Sequence, residues 1–110
     1  MAPQLFTIKK RATFVHIRDK GVFIRSKNIN VQKLLNQKLD GKIGVGYTAT
    51  KRIGNAVKRN KAKRIMRELA KKILIKGKTN TYYVLIAKLS ILDTKFKTLL
   101  EEMESIIHVK

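Results

Sequence analysis

Residues 50–72 read Thr50-Lys-Arg-Ile-Gly-Asn-Ala-Val-Lys-Arg-Asn-Lys-Ala-Lys-Arg-Ile-Met-Arg-Glu-Leu-Ala-Lys-Lys72. Gly54 can supply a tight backbone turn, and Asn55 is a good N-cap residue for a helix starting at Ala56. Ala62, Ile65, Met66, Leu69 and Ile73 recur at three- and four-residue steps, so they gather on one helical face. Lys63, Arg64, Arg67 and Lys71, with Asn60, fall on the opposite side. The spacing predicts a helix that docks an apolar stripe onto a core and turns a cationic stripe outward. Residues 51–78 hold twelve basic residues and one acid, Glu68. Like charges four residues apart, such as Lys63, Arg67 and Lys71, repel by roughly a few tenths of a kcal/mol per pair. The crowding costs stability unless a polyanion relieves it, so the face reads as a phosphate-binding surface. For Glu68 the simple account is a surface ion pair with Arg64 or Lys72 at four-residue spacing.

Working outward, the whole chain carries the same bias. It has 110 residues and a formal net charge of +19, from 26 basic and 7 acidic side chains. That length suits a single domain over 1–110 with a modest core. A hydrophobic share of 44% is that of a globular chain and excludes a merely disordered basic tail. The charge implies a polyanionic partner and steered, salt-sensitive association. An anionic membrane is disfavoured, because lipid-binding helices need bulky apolar residues facing outward. With no cysteine there is neither a disulfide framework nor a thiolate metal site. No apolar run approaches membrane-spanning length, and Met1 to Gln4 leads into no signal-peptide core, so the expected location is cytoplasmic.

Either side of the basic segment the chain alternates helix and strand signals. Met1 to Thr7 reads as a loose lead-in. Lys9 to Lys20 reads as a short helix ended by Gly21, with Phe14 and Ile17 on one face. Val22 to Leu35 reads as strand, Ile29 and Val31 alternating with Asn28, Asn30 and Gln32. Asp40-Gly41 is a hairpin turn signal. In the following strand, Ile43 to Thr50, residues Ile43, Val45, Tyr47 and Ala49 point one way. Gly44, Gly46, Thr48 and Thr50 point the other, giving a small, polar sheet face. Tyr82 to Ala87 is a continuous apolar run, the mark of a central strand covered on both sides. Asp93 is placed to cap a last helix striped with Phe96, Leu99, Leu100, Met103, Ile106 and Ile107. That helix region carries four of the seven acids, so it is expected to lie away from any polyanion. The order α-β-β-β-α-β-α predicts an α+β, two-layer sandwich of three helices on a mixed four-stranded sheet.

Catalytic groups are scarce. The only histidines, His16 and His108, fall in the first and last helices, and nothing in their spacing brings them together for acid–base work. Seven scattered acids do not supply converging carboxylates for a divalent-metal nuclease, and there is no phosphate-cradling Gly-rich loop. The chain by itself reads as a binder, with no catalytic residue and no metal site of its own. A stand-alone ribonuclease using His16 or His108 is the weaker reading.

The block Lys51-Arg52-Ile53-Gly54-Asn55-Ala56-Val57-Lys58-Arg59-Asn60-Lys61, continuing to Lys63-Arg64 and Arg67-Glu68, resembles the signature of the protein subunit of bacterial ribonuclease P. The family carries an Arg-Asn-Arg core in this helix, and this chain departs at the third position with Lys61. Charge is kept there while forked, bidentate phosphate contact is lost. The resemblance implies a left-handed β-α-β crossover around the basic helix. It also implies a helper role in which the catalytic RNA subunit, with bound Mg²⁺, removes the 5′ leader of precursor transfer RNA. By the same resemblance Lys51, Arg52, Asn55, Lys58, Arg59, Asn60, Lys61, Lys63, Arg64 and Arg67 face the catalytic RNA. A cleft between the first helix and the sheet takes the single-stranded leader, with Phe14 at its aromatic position. Arg18 stands one turn on, where many members have a second aromatic. Independently, the polar sheet face (Gln32, Thr48, Thr50) beside Lys10, Phe14 and Arg18 offers room, hydrogen bonds and cations for an extended RNA strand. Close packing of the first helix over Gly and Thr would explain the same residues, and the two readings can hold at opposite ends of the face. The protein alone is expected to be a monomer. A structural, ribosomal-type RNA-binding protein is the alternative function.

Overall fold

The computed structural model describes residues 3–108. In chain order its elements are β1 (Leu5–Thr7), α1 (Arg11–Lys20), β2 (Val22–Ile24), β3 (Ile29–Leu35), β4 (Ile43–Thr48), α2 (Ala56–Ile73), β5 (Thr81–Ala87) and α3 (Phe96–Ile107). Short 3-10 turns at Gln37–Leu39, Lys51–Ile53, Leu74–Lys76 and Leu89–Asp93 join them. The sheet has five strands in the order β1-β4-β5-β3-β2. β4 runs parallel to β1 and β5, and β3 runs antiparallel to β5 and β2. The α+β class, the three helices and the mixed sheet are as expected, and the apolar run at 82–87 is indeed the middle strand.

The differences have identifiable causes. The sheet has five strands where four were expected, and one of the five is Leu5–Thr7, expected to lie loose, which pairs with Ile43–Val45 at the sheet edge. Of that lead-in, Met1 and Ala2 lie outside the described residues. The strand expected over 22–35 is two antiparallel strands, β2 and β3, with Ile24 opposite Val31. The strand expected to reach Thr50 ends at Thr48. Asp40-Gly41 does turn the chain, with φ of 57° and 78°, but it closes no hairpin. β5 enters between β3 and β4, since a strand apolar on both faces is best satisfied in the sheet interior. Asn80 fastens the entry: its side chain accepts from Gly41 N at 2.8 Å, and its own N–H donates to Lys42 O at 2.9 Å.

Two cores result. The larger sits between the sheet and the α2–α3 layer, where Ala62, Met66, Leu69, Leu85, Leu99 and Met103 are fully or almost fully buried. Burying a side chain the size of Leu or Met contributes about 1.5–3 kcal/mol, so α2 is held by its stripe. The smaller core lies on the opposite face, where α1 packs Ile17 and Phe14 against Ile8 and Val84. α1 thus adds a partial third layer to the expected sandwich. α3 packs beside α2.

Asp93 is not the cap of α3. The N-cap position is Lys95, without a side-chain cap, and Asp93 ends the preceding 3-10 turn. α3 is anchored instead by Glu102, whose carboxylate accepts from Asn28 N at 2.8 Å, Asn28 Nδ2 at 2.7 Å and Ile29 N at 3.2 Å. Burial alone would raise its pKa. The hydrogen bonds from Ser26, Asn28 and Ile29 outweigh burial and hold the carboxyl below its ordinary value. A depressed folded-state pKa stabilises above the unfolded value and is lost as the pH falls through it toward the folded one. Acid unfolding of the wild type is therefore expected to include a Glu102 contribution that Glu102→Gln removes. A urea-denaturation series from neutral to acid pH checks this; parallel curves for the two proteins would contradict it.

Candidate nucleic-acid interface

α2 begins as the sequence reading expects. Gly54 has φ 134°, a conformation that glycine adopts without steric penalty. Asn55 Oδ1 then accepts from Lys58 N at 3.0 Å, satisfying one of the open donors at the helix start. From that fixed start the 3.6-residue period aims Asn60, Arg64, Arg67 and Lys71 along an outward crest, all exposed, with Lys58 and Lys61 exposed beside it. Lys51 and Arg52, in the 3-10 turn that enters α2, are exposed as well.

Two of the expected contact residues stand differently. Arg59 is half-buried and turns back, its Nη1 donating to Gly54 O at 2.7 Å. It ties the entering turn to the helix. Lys63, placed on the crest by simple opposition to the stripe, is half-buried on the flank. Glu68 pairs with Lys71 three residues on, at 3.6 Å, and not with Arg64 or Lys72. Both partners are exposed, and such pairs contribute about 0–1 kcal/mol. Sequence reasoning missed the role of Tyr47. Its ring lies 5.7 Å from the Arg67 guanidinium carbon, which restrains that side chain by a cation–π contact. Burial raises the Tyr47 phenol pKa, and the Arg67 charge opposes the rise only in part. Tyr47 therefore stays neutral at pH 7.

On the opposite face, Phe14, Arg18, Gln32 and Thr48 line one open cavity of about 280 Å³ together with Arg11 and a floor of Val84 and Ile86. The face is filled at one end and open at the other. Cβ atoms added at Gly44 and Gly46 would lie 2.8 Å from the Phe6 and Tyr82 rings and 2.4 Å from the Phe14 ring, respectively. Those glycines exist to admit aromatic rings, whereas Thr48 and Gln32 border space. Lys10 does not join them: it lines a separate recess near Phe6 and Tyr82. Thr50 lines a wider groove of about 880 Å³ with Lys51, Arg52, Asn30 and Lys88, which meets the first cavity at Ile86. Asn30 was legible as the residue sharing a strand face with Gln32; Lys88, just past β5, carried no signal of its own. Thr48 and Lys51 are three residues apart, so the cavity and the basic helix are ends of one short segment.

Among the described residues no three His, Asp or Glu side chains converge on a point that could hold a metal ion. No helix among them is long and apolar enough to cross a membrane. What the surface offers is cations, amides, hydroxyls and aromatic rings, the groups that bind nucleic acid backbone and bases.

The profile of the family described as Ribonuclease P matches residues 2–109. The chain is similar to the ribonuclease P protein component of Gluconacetobacter diazotrophicus, 37% identical over 62% of this chain and 58% of that protein. It is also similar to that of Symbiobacterium thermophilum, 29% identical over 92% of this chain and 87% of that one. Among solved structures, the RNase P protein of Staphylococcus aureus superposes with a TM-score of 0.77 at 29% identity, covering 92% of this chain and 91% of that one. The fold is shared too with the RNase P protein of Thermotoga maritima, with a TM-score of 0.82 at 19% identity, over 96% and 98% of the two chains. With a match that spans nearly its whole length, the chain belongs to the ribonuclease P protein family.

Proposed function

We propose that the chain is the protein subunit of a cytoplasmic ribonuclease P ribonucleoprotein, assisting endonucleolytic removal of the 5′ leader from precursor transfer RNA. The crest of α2 and the Lys51–Arg52 turn bind the phosphates of a catalytic RNA subunit, and the cavity beneath α1 holds the single-stranded leader. Phosphodiester hydrolysis belongs to the RNA, which holds the Mg²⁺. Among the described residues no carboxylates converge on a point that could hold a metal, and the work of the side chains is to bind, orient and neutralise. The protein without RNA is a monomer, since an excess of like charge disfavours self-association.

The observation that carries this reading is the coupling of two surfaces through one short segment. Thr48 borders the cavity and Lys51 begins the basic stretch, so an RNA held on α2 and a strand held under α1 are kept in fixed relation. A structural ribosomal-type protein needs the first surface and has no use for the second. The test is reconstitution. Protein added to catalytic RNA and precursor transfer RNA at low Mg²⁺ is expected to restore leader release, and protein with precursor alone is expected to release nothing. No gain from the protein at any Mg²⁺ concentration would exclude the role.

A further inference from the structure

Phe23 is the most exposed aromatic residue among the described residues, with 46% of its surface open. It sits on β2, an edge strand, where a large apolar side chain facing water adds little to the fold. Its register gives it a direction. Phe23 is paired with Gln32, Gln32 with Val84, and Val84 with Gly46. Residues directly paired across neighbouring strands share a sheet face. Phe23 therefore stands in the same row as the cavity residues Gln32 and Val84, on the face that α1 only partly covers. Three strand spacings, about 14 Å in all, separate it from Gly46. Phe14 occupies that far end, its ring edge set so close to Gly46 that a Cβ there would lie 2.4 Å away. The cavity's own aromatic is thus largely committed to the fold. Phe23 is open, and the Arg25 guanidinium carbon lies 5.8 Å from its ring centroid. The loop behind Arg25 is held by Lys88 Nζ donating to Ser26 O at 2.7 Å and by Ser26 N donating to Asn30 Oδ1 at 3.0 Å.

We infer that Phe23 with Arg25 is a base-stacking site for the single-stranded RNA that leaves the α1–sheet cavity across Gln32, a reading that rests on the leader-binding role proposed above. With Arg25 over one face of the ring, the arrangement offers what a nucleobase needs: a second π-face to stack on and a cation for the neighbouring phosphate. Continuity with the cavity favours a strand already bound there over any other occupant.

The test uses holoenzyme reconstituted with catalytic RNA, and precursor transfer RNAs whose leader is shortened one nucleotide at a time down to none. Phe23→Ala is expected to weaken binding of long-leader precursor about tenfold, toward the low end of what one stacked base contributes. It should leave the leaderless form unchanged, and Phe23→Tyr should restore the wild-type value. Thermal melts of both variants are expected to match the wild type, since the side chain is exposed. Unchanged affinity of Phe23→Ala at every leader length, while the wild type keeps its leader dependence, would overturn the stacking site and leave the cavity reading intact. Equal weakening with and without a leader would overturn it too, placing Phe23 on the catalytic RNA or in the fold. A wild type indifferent to leader length would remove the leader-binding role itself, and this site with it.

Discussion

Replacing Arg64, Arg67 and Lys71 together by Ala is expected to lower affinity for the catalytic RNA about 100-fold near physiological salt. All three are exposed along one ridge of α2, and the Tyr47 contact of Arg67 and the exposed Glu68 pair of Lys71 leave each within reach of a phosphate. A neutralised phosphate contributes roughly 0.7–0.9 to the slope of log affinity against log salt, which is about 0.6–0.7 of a decade at 0.15 M. Three such contacts give about two decades, and the slope itself should fall by about 2–3. The fold should tolerate the change. Ala is the best helix former, and removing Arg67 and Lys71 also removes a like-charge pair at four-residue spacing. The change also gives up the exposed Glu68–Lys71 pair and the Arg67–Tyr47 contact, both small, so a melting temperature within a few degrees of the wild type's is expected. The control removes three exposed lysines outside α2, Lys20, Lys27 and Lys38, with the same change in net charge. Salt titrations of both triples decide the matter. If the two slopes fall equally, the RNA senses total charge and not this ridge, and the assignment of α2 as the contact surface fails.

The elements that could be read from sequence were those whose signal is local. α2 declared itself through a cap and a 3.6-residue stripe, and β5 through an unbroken apolar run. α3 did so through its stripe, although not through its cap. What escaped depends on residues far apart in the chain. β1 is a strand only because β4 offers it a parallel edge. The break between β2 and β3 is held from a distance by Glu102, Lys88 and Ser90. Asp40-Gly41 announces a turn, and no local pattern says that Asn80 and β5 will fill its mouth. The candidate site divides in the same way. The crest of α2 follows from helical angles alone, whereas Arg59, which only the resemblance set toward the RNA, turns back because Gly54 O is within reach. Lys63 left the crest because its angle lies on the flank, which a two-sided division of the wheel does not resolve. On the sheet face, alternation correctly grouped Gln32 with Thr48. It could not tell that Lys10 and Thr50 lie beyond the ends of the cavity, since that depends on where α1 rests.

Gly21→Ala is expected to be strongly destabilising, at about 3 kcal/mol. Gly21 has φ −83°, a backbone that any residue adopts, so Ala would otherwise stabilise by about 0.4–1 kcal/mol through the unfolded chain. Steric crowding reverses the sign. A Cβ there would lie 2.6 Å from Ile17 O and 2.7 Å from Lys33 O. Neither oxygen belongs to a movable side chain. Ile17 O accepts the Gly21 N–H at 2.7 Å, closing the last turn of α1, and Lys33 sits in β3 between Val22 and Tyr83. Relief requires shifting the end of α1 or a strand of the sheet. Overpacking of this kind costs about 1–3 kcal/mol and occasionally more, and with two backbone atoms involved the upper end applies. For a domain of this size the melting temperature should drop by roughly 12–20 °C. Gly41→Ala separates the two kinds of glycine effect, because nothing lies within 4 Å of its Cβ and only its φ of +78° is unfavourable. That variant should lose only about 1–2 kcal/mol. A Gly21→Ala protein melting within a few degrees of the wild type, or no lower than Gly41→Ala, would show that α1 does not close onto β3 as tightly as described. The alignment of Phe14 and Phe23 along one sheet face would then lose its support, since the Gly21 corner is what fixes the helix that carries one to the strand that carries the other.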